Sequence, residues 1–272
     1  MAEETKTKGA TLTYFHGRGR AEQARWLMAA TGVSFKNVCL DEPEQFEKMK
    51  GDGLLLFGQL PLLEIDGLKL VQSQSINRYL ARRGKIYGKT MKEQAMCDMV
   101  ADTVNDSVGG VMGYPFRLLS LFKEGKNKEA KEQGEKDLLT FINKAFPKLE
   151  KVIKMNENSK FIVGSSLTYA DVLVAALAHA YDEGLPGCLD KYPGLKGVRD
   201  HVIQLPSVAE YLKSDLYFPF PREKVAVEYC DNVNKAVWSS LYGRVRRSTA
   251  RRRLLSPHGA TLRNFHTDRR DV

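Results

Sequence analysis

Strand and helix patterns alternate only in the first 88 residues of this chain, and that segregation limits the possible folds more than any other feature. Thr11 to Phe15 is short, β-branched or aromatic, and stops at a glycine pair, as a buried strand does. Gly17-Arg18-Gly19 leads into Arg20 to Ala30, where Ala21, Ala24, Leu27 and Met28 repeat at helical spacing until Gly32 ends the helix. Phe35 to Leu40 is a second strand candidate. Leu62 to Ile65 and Leu68 to Val71 flank Asp66-Gly67, the strongest short hairpin signal present. Ser75 to Arg83 follows as a helix with Ile76, Tyr79 and Leu80 on one side. This order predicts one sheet covered by helices.

Beyond Gly84-Lys85-Ile86-Tyr87-Gly88 the character changes. From Met91 to about Ser214 no strand pattern occurs and several helical ones do. Thr168-x-x-Asp171 fits a capping box, with Leu167 and Val172 at the staple positions. The helix it opens, Ala170 to Tyr181, is apolar almost all round and belongs in a domain centre. The fold class expected is α/β plus all-α. The expected division is 1–88, a sheet domain; 89–221, an all-helical bundle closed by Pro219 and Pro221; and 222–272, an extension.

The formal charge of +9 suggests acidic partners, but its distribution argues otherwise. From Ser239 to Val272 there are 9 arginines against 2 aspartates, leaving 33 basic and 31 acidic residues in the other 238. The body is near neutral. The run Arg244 to Arg253 could attract nucleic acid or act as a localisation signal, but it lacks aromatic interleaving. It reads as a solvated, disordered tail, and nucleic acid is a partner only if the tail binds it. Cys39, Cys97, Cys188 and Cys230 form no C-x-x-C pair and read as incidental thiols of a reduced, cytoplasmic protein. No signal peptide is expected from the polar Met-Ala-Glu-Glu-Thr-Lys start. No apolar run approaches the roughly 18 residues of a membrane span. Neither a membrane nor a metal is implied.

Three blocks carry a resemblance: Leu12-Thr-Tyr-Phe-His-Gly-Arg-Gly-Arg-Ala-Glu22, Phe57-Gly-Gln-Leu-Pro-Leu-Leu-Glu-Ile-Asp-Gly67 and Leu68-Lys-Leu-Val-Gln-Ser-Gln-Ser-Ile76. They resemble the glutathione-binding half of the tyrosine-type cytosolic glutathione transferases, near the alpha, mu, pi and sigma classes. The match continues to about Phe220. It implies a thioredoxin-like N-terminal domain, a C-terminal helical bundle and a homodimer. The implied reaction is detoxifying conjugation of glutathione, a co-substrate, to small hydrophobic electrophiles. A non-catalytic hydrophobic-ligand binder or structural homologue, and a glutathione-dependent prostaglandin-type isomerase, are the alternatives.

The resemblance also implies roles. Tyr14 would donate a hydrogen bond to the glutathione sulfur. A free thiol of pKa about 8.5 is only about 3% ionised at pH 7, whereas a tyrosine of pKa near 10 keeps its proton. Arg20 would add a cation beside the sulfur, or be a solvated charge. Arg18 reads as solvated at a helix start. Gln59-Leu60-Pro61 would carry a cis-proline exposing the Leu60 backbone to the cysteinyl part of the ligand. Gln72 and Ser73, at a helix N-terminus, would hold the γ-glutamyl carboxylate, although Ser73 could simply cap the helix. Lys50 stands where the alpha class has an arginine for the glycine carboxylate, and Gln74 where it has another arginine. Asp106 would reach a ligand across the dimer, with Lys144 a further candidate. Phe57 would be an aromatic dimer key. Phe15, Met112, Phe116, Phe218 and Phe220 are candidates for the electrophile pocket.

Overall fold

The computed structural model describes residues 9–156 and 160–236. Strand β1 (Ala10–Phe15) is followed by a 3₁₀ turn (Gly19–Ala21), α1 (Glu22–Ala30), β2 (Phe35–Leu40) and α2 (Pro43–Gly51). Then come β3 (Leu62–Ile65), β4 (Leu68–Val71) and α3 (Ser73–Arg83). The four strands form one sheet in the order β2-β1-β3-β4, with β1 parallel to β2 and antiparallel to β3. Asp66 (φ 50°) and Gly67 (φ 77°) make the β3–β4 turn, the left-handed pair that the right-handed twist of a two-residue hairpin favours. Helix α2 departs from the sequence expectation, which has no helix there. Phe46 is buried but Met49 is only partly so, and periodicity is silent. Its start is set instead by a Glu42/Gln45 capping box.

The second part is helical throughout: α4 (Met91–Ser107), α5 (Gly109–Arg117), α6 (Leu119–Lys123), α7 (Asn127–Lys154), α8 (Tyr169–Gly184), α9 (Pro193–Ile203) and α10 (Pro206–Tyr211). Helix α8 is its centre, buried from Tyr169 to Ala178 and packed against α1, α4 and α9. The Asp171 carboxylate accepts hydrogen bonds from Thr168 N (2.7 Å), Thr168 Oγ1 (2.7 Å) and Ile162 N (2.6 Å), fixing the helix start. Among the described residues, no helix is long and apolar enough to cross a membrane.

The compact part does not close at Pro219 and Pro221. Residues 223–236 form a further helix, α11, with Ala226, Cys230 and Ala236 buried along one side. The prolines turn the chain rather than release it. The basic run at 244–253 lies outside the described residues.

Candidate active site

Strand β1 lies inside the sheet and carries Tyr14 into the seam between sheet and helices; only 6% of the residue is exposed. Its hydroxyl oxygen accepts the Arg20 backbone N–H at 3.1 Å. Gly19 permits that approach. It has φ +43°, and a Cβ there would lie 2.3 Å from Tyr14 Oη. Burial pushes the Tyr14 pKa up. The Arg20 N–H bond and the nearby Arg25 and Arg20 cations offset this only in part, so the phenol keeps its proton at neutral pH.

Next to this phenol is a cavity of about 440 Å³ between the two parts of the chain. Its apolar wall includes Val111, Met112, Ala176, Leu177 and Phe218; its polar end includes Arg20, Gln23, Ser73 and Asn105. Arg20 is exposed and donates weakly to Asn105 Oδ1 at 3.5 Å. Tyr14 stands just behind the cavity wall, with Gly19, Arg20 and Tyr229 of that wall as its neighbours.

The polar end suits an anionic peptide-like ligand. Helix α3 starts at Ser73 with Gln72 as its cap residue and no side-chain capping bond, so Ser73 is not serving as a cap. The first backbone N–H groups of such a helix lack intrahelical acceptors and favour an anion. Gln72 is held at φ 72°, a left-handed conformation uncommon outside glycine. Its Nε2 donates to Gln59 Oε1 at 3.1 Å, joining two of the expected positions. The Leu60–Pro61 bond is cis. Gln23 is buried beside them, its Oε1 accepting from Asn77 (2.8 Å) and Gln74 (3.4 Å) while its Nε2 has no hydrogen-bond partner. A buried orphan donor at a cavity edge fits a ligand oxygen.

Other expected positions stand apart. Lys50 lies over the Phe46 ring at 4.3 Å and pairs with Glu47 at 2.6 Å. Asp106 on α4 and Lys144 on α7 are exposed and do not line the cavity, whereas Phe57 is 62% exposed rather than packed in its own core. Of the five pocket candidates, Met112 and Phe218 line the cavity. Phe15 is a correction: it does not line the cavity but is buried, its ring packed edge-on against Tyr14 and Phe46, so its apolar surface is spent on the core. Phe220 is another, buried edge-on to Tyr114 at 4.7 Å. Phe116 lies outside the lining and packs against Tyr229.

Arg18 is a third correction. The residue is 8% exposed, not solvated. Its guanidinium pairs with Glu183 of α8 and donates to Tyr217 Oη and the Phe218 carbonyl. Sequence reading also passes over Arg25, which is fully buried and donates to Asn37 Oδ1 (3.0 Å), the Gly17 carbonyl (3.1 Å) and Glu22 Oε2 (3.0 Å). It anchors the loop behind Tyr14. No periodicity marks a buried arginine; its signal is only its place beside Trp26 on the helix after the glycines.

Family models agree with this geometry. The glutathione S-transferase N-terminal domain matches residues 10–82 and the glutathione S-transferase C-terminal domain residues 117–215. Glutathione S-transferase A2 of Bos taurus is 40% identical over 202 residues, spanning 74% of this chain and 86% of the relative. Glutathione S-transferase alpha-5 of Rattus norvegicus is 40% identical over 214 residues, or 78% of this chain and 93% of that one. A solved glutathione S-transferase specific to the nematode C. elegans superposes with a TM-score of 0.63 at 30% identity, covering 78% of this chain and 99% of the other. Sequence, two-part fold and the strand-end tyrosine beside an apolar cavity converge: this chain belongs to the glutathione S-transferase family.

Proposed function

We propose that this enzyme conjugates glutathione to small apolar electrophiles, with Tyr14 as the donor that keeps the sulfur anionic and Arg20 as a supporting cation. The carrying observation is the Tyr14 oxygen: buried, protonated, and accepting the Arg20 N–H at 3.1 Å. With an oxygen lone pair committed to that N–H, the phenolic proton is available to an anion. Glutathione, when bound, supplies the thiol nucleophile. Ser73, Gln72 and the orphan amide of Gln23 would hold its γ-glutamyl end, the Leu60 backbone its cysteinyl part, and Lys50 its glycine carboxylate on exchanging Glu47 for it. In the reaction a C–S bond forms at the electrophilic carbon, and the displaced group leaves with its electron pair.

The apolar wall of Met112, Leu177 and Phe218 supports a hydrophobic second substrate. A homodimer is supported by Leu56 (79% exposed) and Phe57 (62%), adjoining large apolar side chains presented outward. Asp106 and Lys144 would contribute only through such an assembly. A cytoplasmic, detoxifying role accords with these features.

The test is Tyr14→Phe, read by ultraviolet absorbance of the bound thiolate and by turnover of a chloronitrobenzene. A rise of about 2 units in thiol pKa removes about 2.7 kcal/mol of thiolate stabilisation and about a hundredfold of thiolate below that pKa. A more basic thiolate is a better nucleophile, with a Brønsted slope near 0.4–0.5, so the net expected loss of rate is about tenfold at pH 6.5. An unchanged thiol pKa would refute the role of Tyr14. Normal glutathione binding with no turnover in the wild type would favour the ligand-binding alternative, and unconsumed glutathione with isomerised product the isomerase.

A further inference from the structure

Three neutral amide side chains meet behind the polar end of the cavity. Gln23 comes from α1, and Gln74 and Asn77 from α3, three residues apart and so on one face of that helix. Gln23 and Asn77 are 8% and 0% exposed, so bulk water does not serve their polar atoms. Gln23 Oε1 accepts from Asn77 Nδ2 at 2.8 Å and from Gln74 Nε2 at 3.4 Å. An amide oxygen has two lone pairs, and here both are taken. Gln74, where the alpha class has an arginine, directs its amide inward to Gln23.

This pairing fixes which end of Gln23 is left for a ligand. Its oxygen is held by two donors, its Nε2 has no partner, and the residue lines the cavity together with Ser73. A glutamine free to turn over offers either a donor or an acceptor. Turning Gln23 over by itself would set its NH₂ against the NH₂ groups of Asn77 and Gln74, donor facing donor. The neighbouring start of α3 points the same way, since its first backbone N–H groups favour an anion. The γ-glutamyl end of glutathione carries a carboxylate and an ammonium on one carbon, and only the carboxylate accepts. A bond from a buried NH₂ to an ionised acceptor is among the stronger ones a protein makes.

We propose that Gln23 is a specificity residue for the α-carboxylate of the γ-glutamyl group, and that Asn77 is its positioning residue, holding the Gln23 oxygen so that the NH₂ faces the ligand. This rests on the reading of the cavity's polar end as the seat of glutathione, and the test separates the two.

The experiment is titration calorimetry at pH 6.5 on the full chain with three ligands: glutathione, the 4-aminobutyryl analogue that lacks the α-carboxylate, and the glutaryl analogue that lacks the α-ammonium. Gln23→Ala should weaken glutathione and the glutaryl analogue about tenfold, and the 4-aminobutyryl analogue less than about twofold. Asn77→Leu removes one of the two donors that hold Gln23, and should weaken glutathione about threefold with the same selectivity. Asn77→Ser, whose side chain is one atom shorter, is measured alongside and should show that selectivity too, so the role of Asn77 does not hang on one variant's folding. Combined with Gln23→Ala, either Asn77 variant should add no further discrimination, because Asn77 acts through the amide already removed. The KM for glutathione should rise with kcat within about twofold, as for a contact made equally in ground and transition states. Equal losses for all three ligands would mean that the amides only support the local fold, and the inference fails. Losses confined to the two ligands that keep the ammonium would put the Gln23 oxygen against that group, and the inference fails. Unchanged selectivity in both Asn77 variants removes Asn77 from it. If the wild type binds glutathione and Gln23→Ala binds it equally well, Gln23 has no such role and the reading of the glutathione seat stands. If the wild type does not bind glutathione, both fall.

Discussion

Arg18→Ala is the sharpest test of how the two parts of this enzyme are joined. The guanidinium is 8% exposed and gives up three partners at once on truncation: the Glu183 carboxylate, the Tyr217 hydroxyl and the Phe218 carbonyl. Removing one member of a buried ion pair typically costs about 3–5 kcal/mol, because the other charge stays behind unpaired. Glu183 softens that figure: its side chain is 24% exposed, and His179 Nε2 lies 3.9 Å from its Oε2. The expected loss is therefore about 2–3 kcal/mol, or a Tm lower by about 4–12 °C for a chain of this size.

The pH dependence carries a second signature of the same contact. Burial holds the His179 pKa below its usual value, and the Arg18 charge is among the causes that lower it further. A group whose folded pKa is depressed below the unfolded 6.5 opposes folding as pH drops through that region. Without Arg18 the folded pKa of His179 moves back up and its cation can face Glu183. Arg18→Ala should thus be less destabilising at pH 5.5 than at pH 8. Urea unfolding at the two pH values measures this. The KM for the electrophile should rise more than that for glutathione, since the freed carbonyl belongs to Phe218 of the cavity wall. A variant within about 0.5 kcal/mol of wild type at both pH values would mean a solvated guanidinium, as the sequence suggests.

Three further outcomes are expected. Asp98 accepts from Arg78 Nε (2.9 Å), Tyr87 Oη (2.7 Å) and Tyr169 Oη. Burial raises its pKa but these hydrogen bonds outweigh it, so the net shift is downward and the stabilisation, present above the unfolded pKa of about 3.9, is lost as pH falls through the folded value. Asp98→Asn should cost about 1–3 kcal/mol in urea melts at pH 7, with a smaller difference at pH 3.5; a gap independent of pH would contradict this. Burial pushes the thiol of Cys97 up to about 11 and those of Cys188 and Cys230 to about 12, so native enzyme at pH 7.5 should react slowly with an alkylating reagent, and fast labelling of Cys97 or Cys230 would count against the packing. Phe57→Ser should weaken a homodimer about a hundredfold in sedimentation equilibrium, from about 1.5 kcal/mol per buried side chain on each of two copies; a variant that associates like the wild type removes Phe57 from the interface.

Local chemistry was readable in advance. Asp66-Gly67 fixes a turn by backbone preference, Thr168 and Asp171 close a capping box three residues apart, and the Tyr14 and Gln59-Leu60-Pro61 blocks need only their own neighbours to be recognised. Side chains whose environment is supplied from far along the chain were not. Arg18 reads as a surface charge because Glu183 and Phe218 are 165 and 200 positions away. Phe15 and Phe220 share the hydrophobicity of Met112 and Phe218, and only tertiary packing sorts core from cavity.

Helix α11 is the instructive miss, because its signal was present. Ala226, Tyr229, Cys230 and Val233 repeat at i, i+3, i+4 and i+7, the spacing of one helical face. Pro219 and Pro221 before it and the arginine run beyond residue 243 give the segment the look of an extension. Yet a proline's clash and its missing N–H act on the chain before it and leave the residues after it free to form a helix, and α11 begins at 223. The apolar face then needs a surface to cover, and the sheet domain offers one shaped by Gly17. A cavity formed between the sheet and the helices lies along their seam, and a later segment of the chain returning over that seam is the direct way to close it. Tyr229, carried by that helix, closes over Gly17 in the wall of the cavity.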